Sequence, residues 1–452
     1  MKSFFLLPLF AFVLFGAFRS ETSLWQWLFS QDDFQEQESP PRQDATVLNE
    51  DTPWSPERYE FLTRYSQERE FRPPNYENQK ALGYDTQSFA TPRGLEKQVE
   101  FWLSIYTKYS TLQGVIHDTE NLDLIYAVLD FNEIQNRTDI NKYRKEHLKE
   151  KLVDDEKKRI SQLLTKMSRQ KQFKPASSEE QRVFDLVKNH PSNLKFSDLS
   201  EGGRVRFQLG QKDRMSEAIF LSGRYMEDIE KIFQEEGLPK ELARIAFVES
   251  SFNVLARSKV GASGIWQIMP TSVRKSAIQP SHDLRNHPLE ATKAAAKLLK
   301  FNYRVLEKWP LAVTAYNHGP TGLKKTVKKY QNSDLGYLIK NVRSRKSFGF
   351  ASKNFYACFL AVLEVEKNAS KYFPGIKWST LLDAKSVRLT QGLRYKKLLE
   401  LFQNDTQKLQ LFNPHLTSAT RKNNLEIPRS IEVFIPSNKD LNFPQIRSAT
   451  KN

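Results

Sequence analysis

The residues best suited to chemistry lie between Leu238 and Pro270, with Glu249 at their centre. Pro239 suits a first helical position, and Leu242, Ile245 and Ala246 follow at i, i+3 and i+4. The next place on that apolar stripe, i+7, is Glu249, where an aliphatic residue is expected. Removing a carboxylate from water disfavours its charged form, so such a glutamate holds its proton near neutral pH and can serve as a general acid. A competing reading has Glu249 capping a loop or pairing with Arg244 or Arg257. Ser250, Ser251 and Asn253 lead the chain out of the helix towards Gly261, Ala262, Ser263 and Gly264, small residues that permit close approach of backbone or ligand.

Other groups recur at set distances from this acid. Glu249-Ser250, Ser258, Gly264-Ile265-Trp266-Gln267, Met269-Pro270 and Ala315-Tyr316-Asn317-His318-Gly319 together resemble the catalytic domain of the lytic transglycosylases. In that family an ES pair, a GLxQ segment and an AYN segment line a lysozyme-like groove for peptidoglycan. Arg206, Gln208, Gly210 and Asp213 ahead of the stretch extend the pattern, as do Gly349-Phe350-Ala351-Ser352 and Asn354-Phe355-Tyr356 behind it. The fuller set is most similar to the membrane-bound D group of the family. The resemblance implies that Glu249 protonates the oxygen between N-acetylmuramic acid and N-acetylglucosamine. As a carboxylate it then accepts the proton of the muramyl 6-hydroxyl, which closes onto C1 as a 1,6-anhydro ring. It further implies substrate-binding roles for Ser250, Ser258, Gln267, Tyr316, Asn317 and Tyr356. Hydroxyl and amide groups of this kind bind sugars without adding a charge that would ionise Glu249. Trp266 stands where a methionine is common and reads as core. Asp283, in a loop, and Glu290, opening a helix, read as structural acids rather than as a second catalytic carboxylate. No metal or cofactor is expected, since no HExxH-like spacing occurs.

The elements that must position these residues read as mainly α. A lysozyme-like all-α catalytic domain is expected over 204–375, with helices near 269–277, 288–307, 310–317, 320–329, 334–342 and 351–369. Ahead of it, 96–203 reads as a helical segment. Val99, Trp102, Leu103, Tyr106 and Tyr109 form one face, Leu122, Ile125, Tyr126 and Leu129 a second, and Lys142 to Lys158 a long exposed helix. Residues 21–95 read as linker, with aromatic islands at Trp25–Phe29 and Tyr59–Tyr65. Over 384–438 the order strand, helix, helix, strand resembles a LysM module, a small fold that binds N-acetylglucosamine-containing glycans, with Thr390-Gln391-Gly392 in place of its usual turn.

Composition bounds the setting. Hydrophobic residues make up 39% of the 452 and aromatics 12%, enough for a packed core. Lys2 followed by the apolar run Phe4 to Phe18 has the length of a secretory segment, so 1–20 is expected to direct export to the cell envelope, with the periplasm as the expected site. With no small-x-small cleavage site, it can remain as a membrane anchor. Cys358, the sole cysteine, excludes an intramolecular disulfide and reads as a buried small hydrophobe. The net charge of +16 comes with no nucleic-acid-reading motif, so anionic peptidoglycan strands are the expected partner and nucleic acid is not. Two other functions fit the same residues: a goose-type lysozyme that hydrolyses the same bond, and a catalytically silent cell-wall-binding scaffold.

Overall fold

The computed structural model describes residues 63–74, 89–343 and 348–441. In chain order its principal elements are strand β1 (Glu68–Glu70), helix α1 (Glu96–Thr107), strands β2 (Gln113–Asp118) and β3 (Ile125–Asp130), helices α2 (Lys142–Arg169) and α3 (Ser178–Lys188), and strand β4 (Val205–Leu209). Helices α4 (Lys212–Ser222), α5 (Met226–Glu235), α6 (Ile245–Ser250), α7 (Pro288–Leu306), α8 (Trp309–His318), α9 (Pro320–Tyr330), α10 (Leu335–Asn341) and α11 (Phe350–Lys367) follow. Beyond them lie β5 (Lys377–Ser379), β6 (Ala384–Arg388), α12 (Tyr395–Leu401), α13 (Thr406–Phe412) and β7 (Glu432–Pro436). The chain is mainly α, as expected. The apolar run Phe4 to Phe18 and the Trp25–Phe29 island lie outside the described residues. Among the described residues no helix is long and apolar enough to cross a membrane.

Helix α11 is the axis of the fold. It is apolar nearly all round, and such a helix is stable only when enclosed. Helices α1, α6 and α8 pack against it. The Trp102 indole of α1 donates to Asn354 Oδ1 at 3.0 Å, so the segment before the catalytic helices is built into the same core. Cys358 is enclosed there, and burial pushes its thiol pKa up, in keeping with a packing role. Near the end of α11, Glu366 receives Arg244 Nη2 at 3.0 Å, and both side chains are shut off from solvent.

Three expectations need correction. Leu122 to Leu129 is not a helical face: Leu122, Leu124 and Tyr126 are buried at period two, and the run enters strand β3. The helix-like spacing of Leu122, Ile125, Tyr126 and Leu129 was incidental to that alternation. Nor is the chain helical from Arg204 onwards. Strand β4 pairs with β2, giving an antiparallel sheet of order β3-β2-β4. A boundary at 203/204 therefore cuts through one sheet, and the 96–203 segment is mixed rather than helical. The 269–277 stretch forms two single 3-10 turns, Pro270–Ser272 and Lys275–Ala277, rather than a helix. The charged helix is longer than its polar half suggested. Val153, Ile160, Leu164 and Met167 run along α2 as a buried stripe beneath the sheet.

At the other end, β6 and β7 pair antiparallel with Val387 opposite Val433, and α12 and α13 lie between them in sequence. This unit is joined to the catalytic helices through the Ser281–Asp283 loop. The Asp283 N–H donates to the His415 carbonyl at 2.8 Å, and the Thr420 hydroxyl donates to the Ser281 carbonyl at 2.6 Å. Part of the supposed linker also docks. Strand β1 pairs with β5, Arg69 lies over the Trp378 ring at 5.0 Å and donates to the Gly223 carbonyl, and Tyr65 donates to Asp405 at 2.7 Å.

Removing Arg244 should expose the cost of taking the Arg244 guanidinium away from the enclosed Glu366. Arg244→Leu is expected to lose roughly 3–5 kcal/mol of stability, measured by denaturant or thermal unfolding. A loss below about 1 kcal/mol would show that the ion pair does not hold α11 in place.

Candidate active site

Glu249 reaches its position through two short turns. The 3-10 segment Lys240–Arg244 runs into α6, and Leu242, Ile245, Ala246 and Val248 are all buried. The helix stops abruptly because Ser251 and Phe252 both take left-handed backbone angles, φ 52 and 58. Non-glycine residues rarely adopt this region, and here it is held by Phe252 packing against Phe247 at 4.6 Å. The chain therefore turns away immediately beyond the acid. Glu249 itself is half-buried.

Neither basic neighbour reaches Glu249. Arg244 is committed to Glu366 and Glu230, while Arg257 points to Asp283 at 3.8 Å. Among the described residues the Glu249 carboxyl has no ion pair and no hydrogen bond. Desolvation, unopposed by any cation, pushes its pKa up to about 8.

The segment facing this acid is a tight double turn. Ser263 bridges to both Arg257 and Ile268 in β fashion. Gly264 has φ +77, and a Cβ there would lie 2.0 Å from the Arg285 carbonyl, so a side chain has no room. Gln267, at φ 45, is held by its own amide, which donates to the Gly264 and Ala256 carbonyls at 2.8 and 3.3 Å. The Ser258 hydroxyl oxygen accepts from the Ala262 N–H at 2.8 Å and keeps its proton to donate. From behind, Arg285 donates to the carbonyls of Gly261 and Ile268 at 2.6 and 3.1 Å, and Ser263 donates to Asn286 at 2.6 Å.

Two side chains join the segment to the helices. Ser250, which is buried, donates to the Ile265 carbonyl at 2.9 Å. Its hydroxyl is thus engaged with protein and ties the acid's helix to the turn rather than reaching outward. Tyr316, at the end of α8, donates to the Trp266 carbonyl at 2.8 Å and stacks on Phe355. Burial first, and the charge of Glu249 second, push the Tyr316 phenol pKa well up.

The remaining expected residues are distributed unevenly. Asn317 is exposed beside Tyr316 and accepts a hydrogen bond from Ser352 at 2.9 Å. Tyr356 is enclosed in α11, and its hydroxyl donates to the Ala90 carbonyl at 3.3 Å, a partner outside the turn. Trp266 is core: its indole donates to Thr292 at 2.8 Å and stacks on Phe233. Asp283 is held by Arg285 at 2.7 Å and Glu290 by Lys293 at 2.7 Å, so both acids serve local ion pairs. Ser352 and His318, which contact each other and Asn317, were not singled out from the sequence. Their only signal was membership of the matched strings. Among the described residues no group of histidine, cysteine and acidic side chains could hold a metal ion.

A family comparison falls on this same region. The family model for the transglycosylase SLT domain matches residues 229–338, which includes Glu249, the turn, Tyr316 and Asn317. Membrane-bound lytic murein transglycosylase D of Escherichia coli (strain K12) is 26% identical over 239 residues, covering 49% of this chain and 50% of that protein. The protein of the same name from Escherichia coli O6:H1 matches to the same extent. The chain thus spans about half the length of the curated relatives it matches. Residues 229–338 are thus similar to the transglycosylase SLT domain, and about half of the chain is similar to the lytic murein transglycosylases named above.

Proposed function

We propose that this protein is a peptidoglycan lytic transglycosylase in which Glu249 acts first as general acid and then as general base. The observation that carries the reading is a desolvated carboxyl without ion-pair or hydrogen-bond partner among the described residues, in a region similar to the SLT domain where the downstream acids Asp283 and Glu290 are already paired. A single acid suits a reaction in which the sugar supplies its own nucleophile. Glu249 gives its proton to the glycosidic oxygen, the muramyl C1–O bond breaks, and N-acetylglucosamine leaves with a free 4-hydroxyl. The substrate's acetamido oxygen stabilises the cationic C1. The Glu249 carboxylate then removes the proton of the 6-hydroxyl, and the new O6–C1 bond closes the 1,6-anhydro ring. Water is neither added nor consumed, and Glu249 ends protonated for the next cycle.

The surrounding groups suit an uncharged, hydroxyl-rich substrate. Ser258 retains a donor, Tyr316 stays protonated, and Asn317 is exposed at the rim. None of them brings a positive charge that would draw the proton off Glu249. Ser250, its proton given to Ile265, supports the site by holding the turn against the acid's helix.

Mass analysis of muropeptides released from purified sacculi tests the chemistry. The parent protein is expected to yield 1,6-anhydromuramic ends, and Glu249→Gln none. Reducing muramic ends would point to hydrolysis, and sedimentation with sacculi without release to a binding protein.

The Glu249 proton should also govern two pH profiles. Activity is expected to fall about tenfold per unit as pH rises through about 8, because the acid is then lost. Stability should move in the same direction. A folded-state pKa above the unfolded one means that the native state holds the proton more tightly, so Glu249 destabilises the fold progressively as pH rises from the ordinary carboxyl range to about 8. Glu249→Gln should therefore unfold at a higher temperature than the parent, with the gap widening from pH 5 to pH 8 to something on the order of 1–3 kcal/mol. A constant gap across that range would mean that Glu249 is ionised in the native protein at neutral pH.

A further inference from the structure

Asn317 stands exposed beside Tyr316, and an asparagine can present either an oxygen or an NH2 group outward. In the structure its oxygen is engaged within the protein. Ser352, buried in the first turn of α11, donates its hydroxyl to Asn317 Oδ1 at 2.9 Å. The same Ser352 oxygen lies 3.2 Å from His318 Nδ1. A hydroxyl has one proton, so with that proton on Asn317 the oxygen can only accept from His318, and Nδ1 must carry the imidazole hydrogen. The ring sits edge-on to Phe348 at 5.2 Å, and burial lowers its pKa, so it is the neutral form that makes this bond. The resulting chain, His318 to Ser352 to Asn317, occupies Oδ1 and turns Nδ2 outward. Among the described residues Nδ2 has no hydrogen-bond partner.

We propose that His318 and Ser352 are positioning residues that fix Asn317 as an outward-facing neutral donor for an acceptor oxygen of the glycan, an acetamido carbonyl or a hydroxyl. This rests on the transglycosylase reading of the site. Rotation of a terminal amide by a half-turn is otherwise easy, because that torsion is broad and roughly two-fold. An unheld Asn317 would present oxygen to oxygen for part of the time. The relay removes that choice without placing a charge near Glu249.

The test compares initial rates of muropeptide release at graded sacculus concentrations, together with thermal unfolding, for the parent, Ser352→Ala, His318→Asn and His318→Phe. Ser352→Ala should raise KM roughly 3–10-fold, the usual effect of one neutral hydrogen bond, with kcat changed less than about two-fold. His318→Asn keeps an N–H close to where Nδ1 stood but loses the ring against Phe348, so it should be the less stable histidine variant yet retain a KM near the parent's. His318→Phe keeps a ring and its stability but has no donor, so its KM should match that of Ser352→Ala. Activity and stability then rank in opposite order. A His318→Phe protein with parental KM, or losses of activity that simply follow the unfolding temperature, would overturn the relay while leaving the function intact. A parent that releases no muropeptides would overturn the function, and the relay with it.

Discussion

A carboxyl group that keeps its proton at neutral pH needs surroundings without a free cation, and the structure around Glu249 depends on meeting that condition. Arginines are near at hand, and each is drawn elsewhere. Arg244, five residues before the acid on the same turn of chain, is enclosed with Glu366 and Glu230. Arg285 is held by Asp283 and by the carbonyls of the facing turn. Had either guanidinium approached the acid, the opposite charge would have lowered the pKa of Glu249 and left a carboxylate with no proton to give. The ion pairs therefore serve the site electrostatically as well as the fold mechanically.

The same ion pairs make the turn rigid. Arg285 ties the Gly261–Ile268 backbone to the loop behind it, and Ser263 ties it again through Asn286. That loop is where the C-terminal unit attaches, through Asp283, Ser281 and His415. A line of hydrogen bonds, partly backbone and partly through the Thr420, Asp283 and Arg285 side chains, thus runs from the C-terminal unit to the Gly261–Ile268 turn. The N-terminal strap adds a second tie, since Tyr65 reaches Asp405 while Arg69 holds the Gly223 carbonyl. The parts flanking the SLT-like region are bonded into its support rather than tethered to it.

Much of the site was legible because its determinants are local. The apolar stripe that carries Glu249 is a matter of three- and four-residue spacing, and the prolines in the first turns of α7, α8 and α9 mark helix starts from backbone geometry alone. Gly264 could be marked as special by type, since a glycine between small residues signals close approach. What it approaches, the Arg285 carbonyl, is set by the packing of a loop twenty residues away. The core role of Trp266 and the structural role of Asp283 and Glu290 followed from residue type and position, while their partners Arg285 and Lys293 are set by the fold. The engagement of Ser250 with Ile265 and of Tyr356 with Ala90 did not, because a hydroxyl is equally fit to bind sugar or backbone until its neighbours are known.

The residue order alone specified a mainly helical chain, an acid on an apolar stripe, the spacing of the turn and the Tyr316-Asn317 pair, and, in the terminal unit, β6, α12, α13 and β7 but not the third helix Ser418–Asn423 or the paired strands Leu393–Arg394 and Glu426–Ile427. These are read from neighbours in sequence, where period and turn chemistry act. The strands β2, β3 and β4 escaped that reading, since β4 finds its partner some ninety residues earlier and pairing across such a distance leaves little local trace. The choice of Glu366 for Arg244, and the linking of His318, Ser352 and Asn317, likewise arose only when separate helices came together. Charge balance and hydrogen-bond direction belong to the assembled fold, because each depends on which groups share a space from which water has been removed.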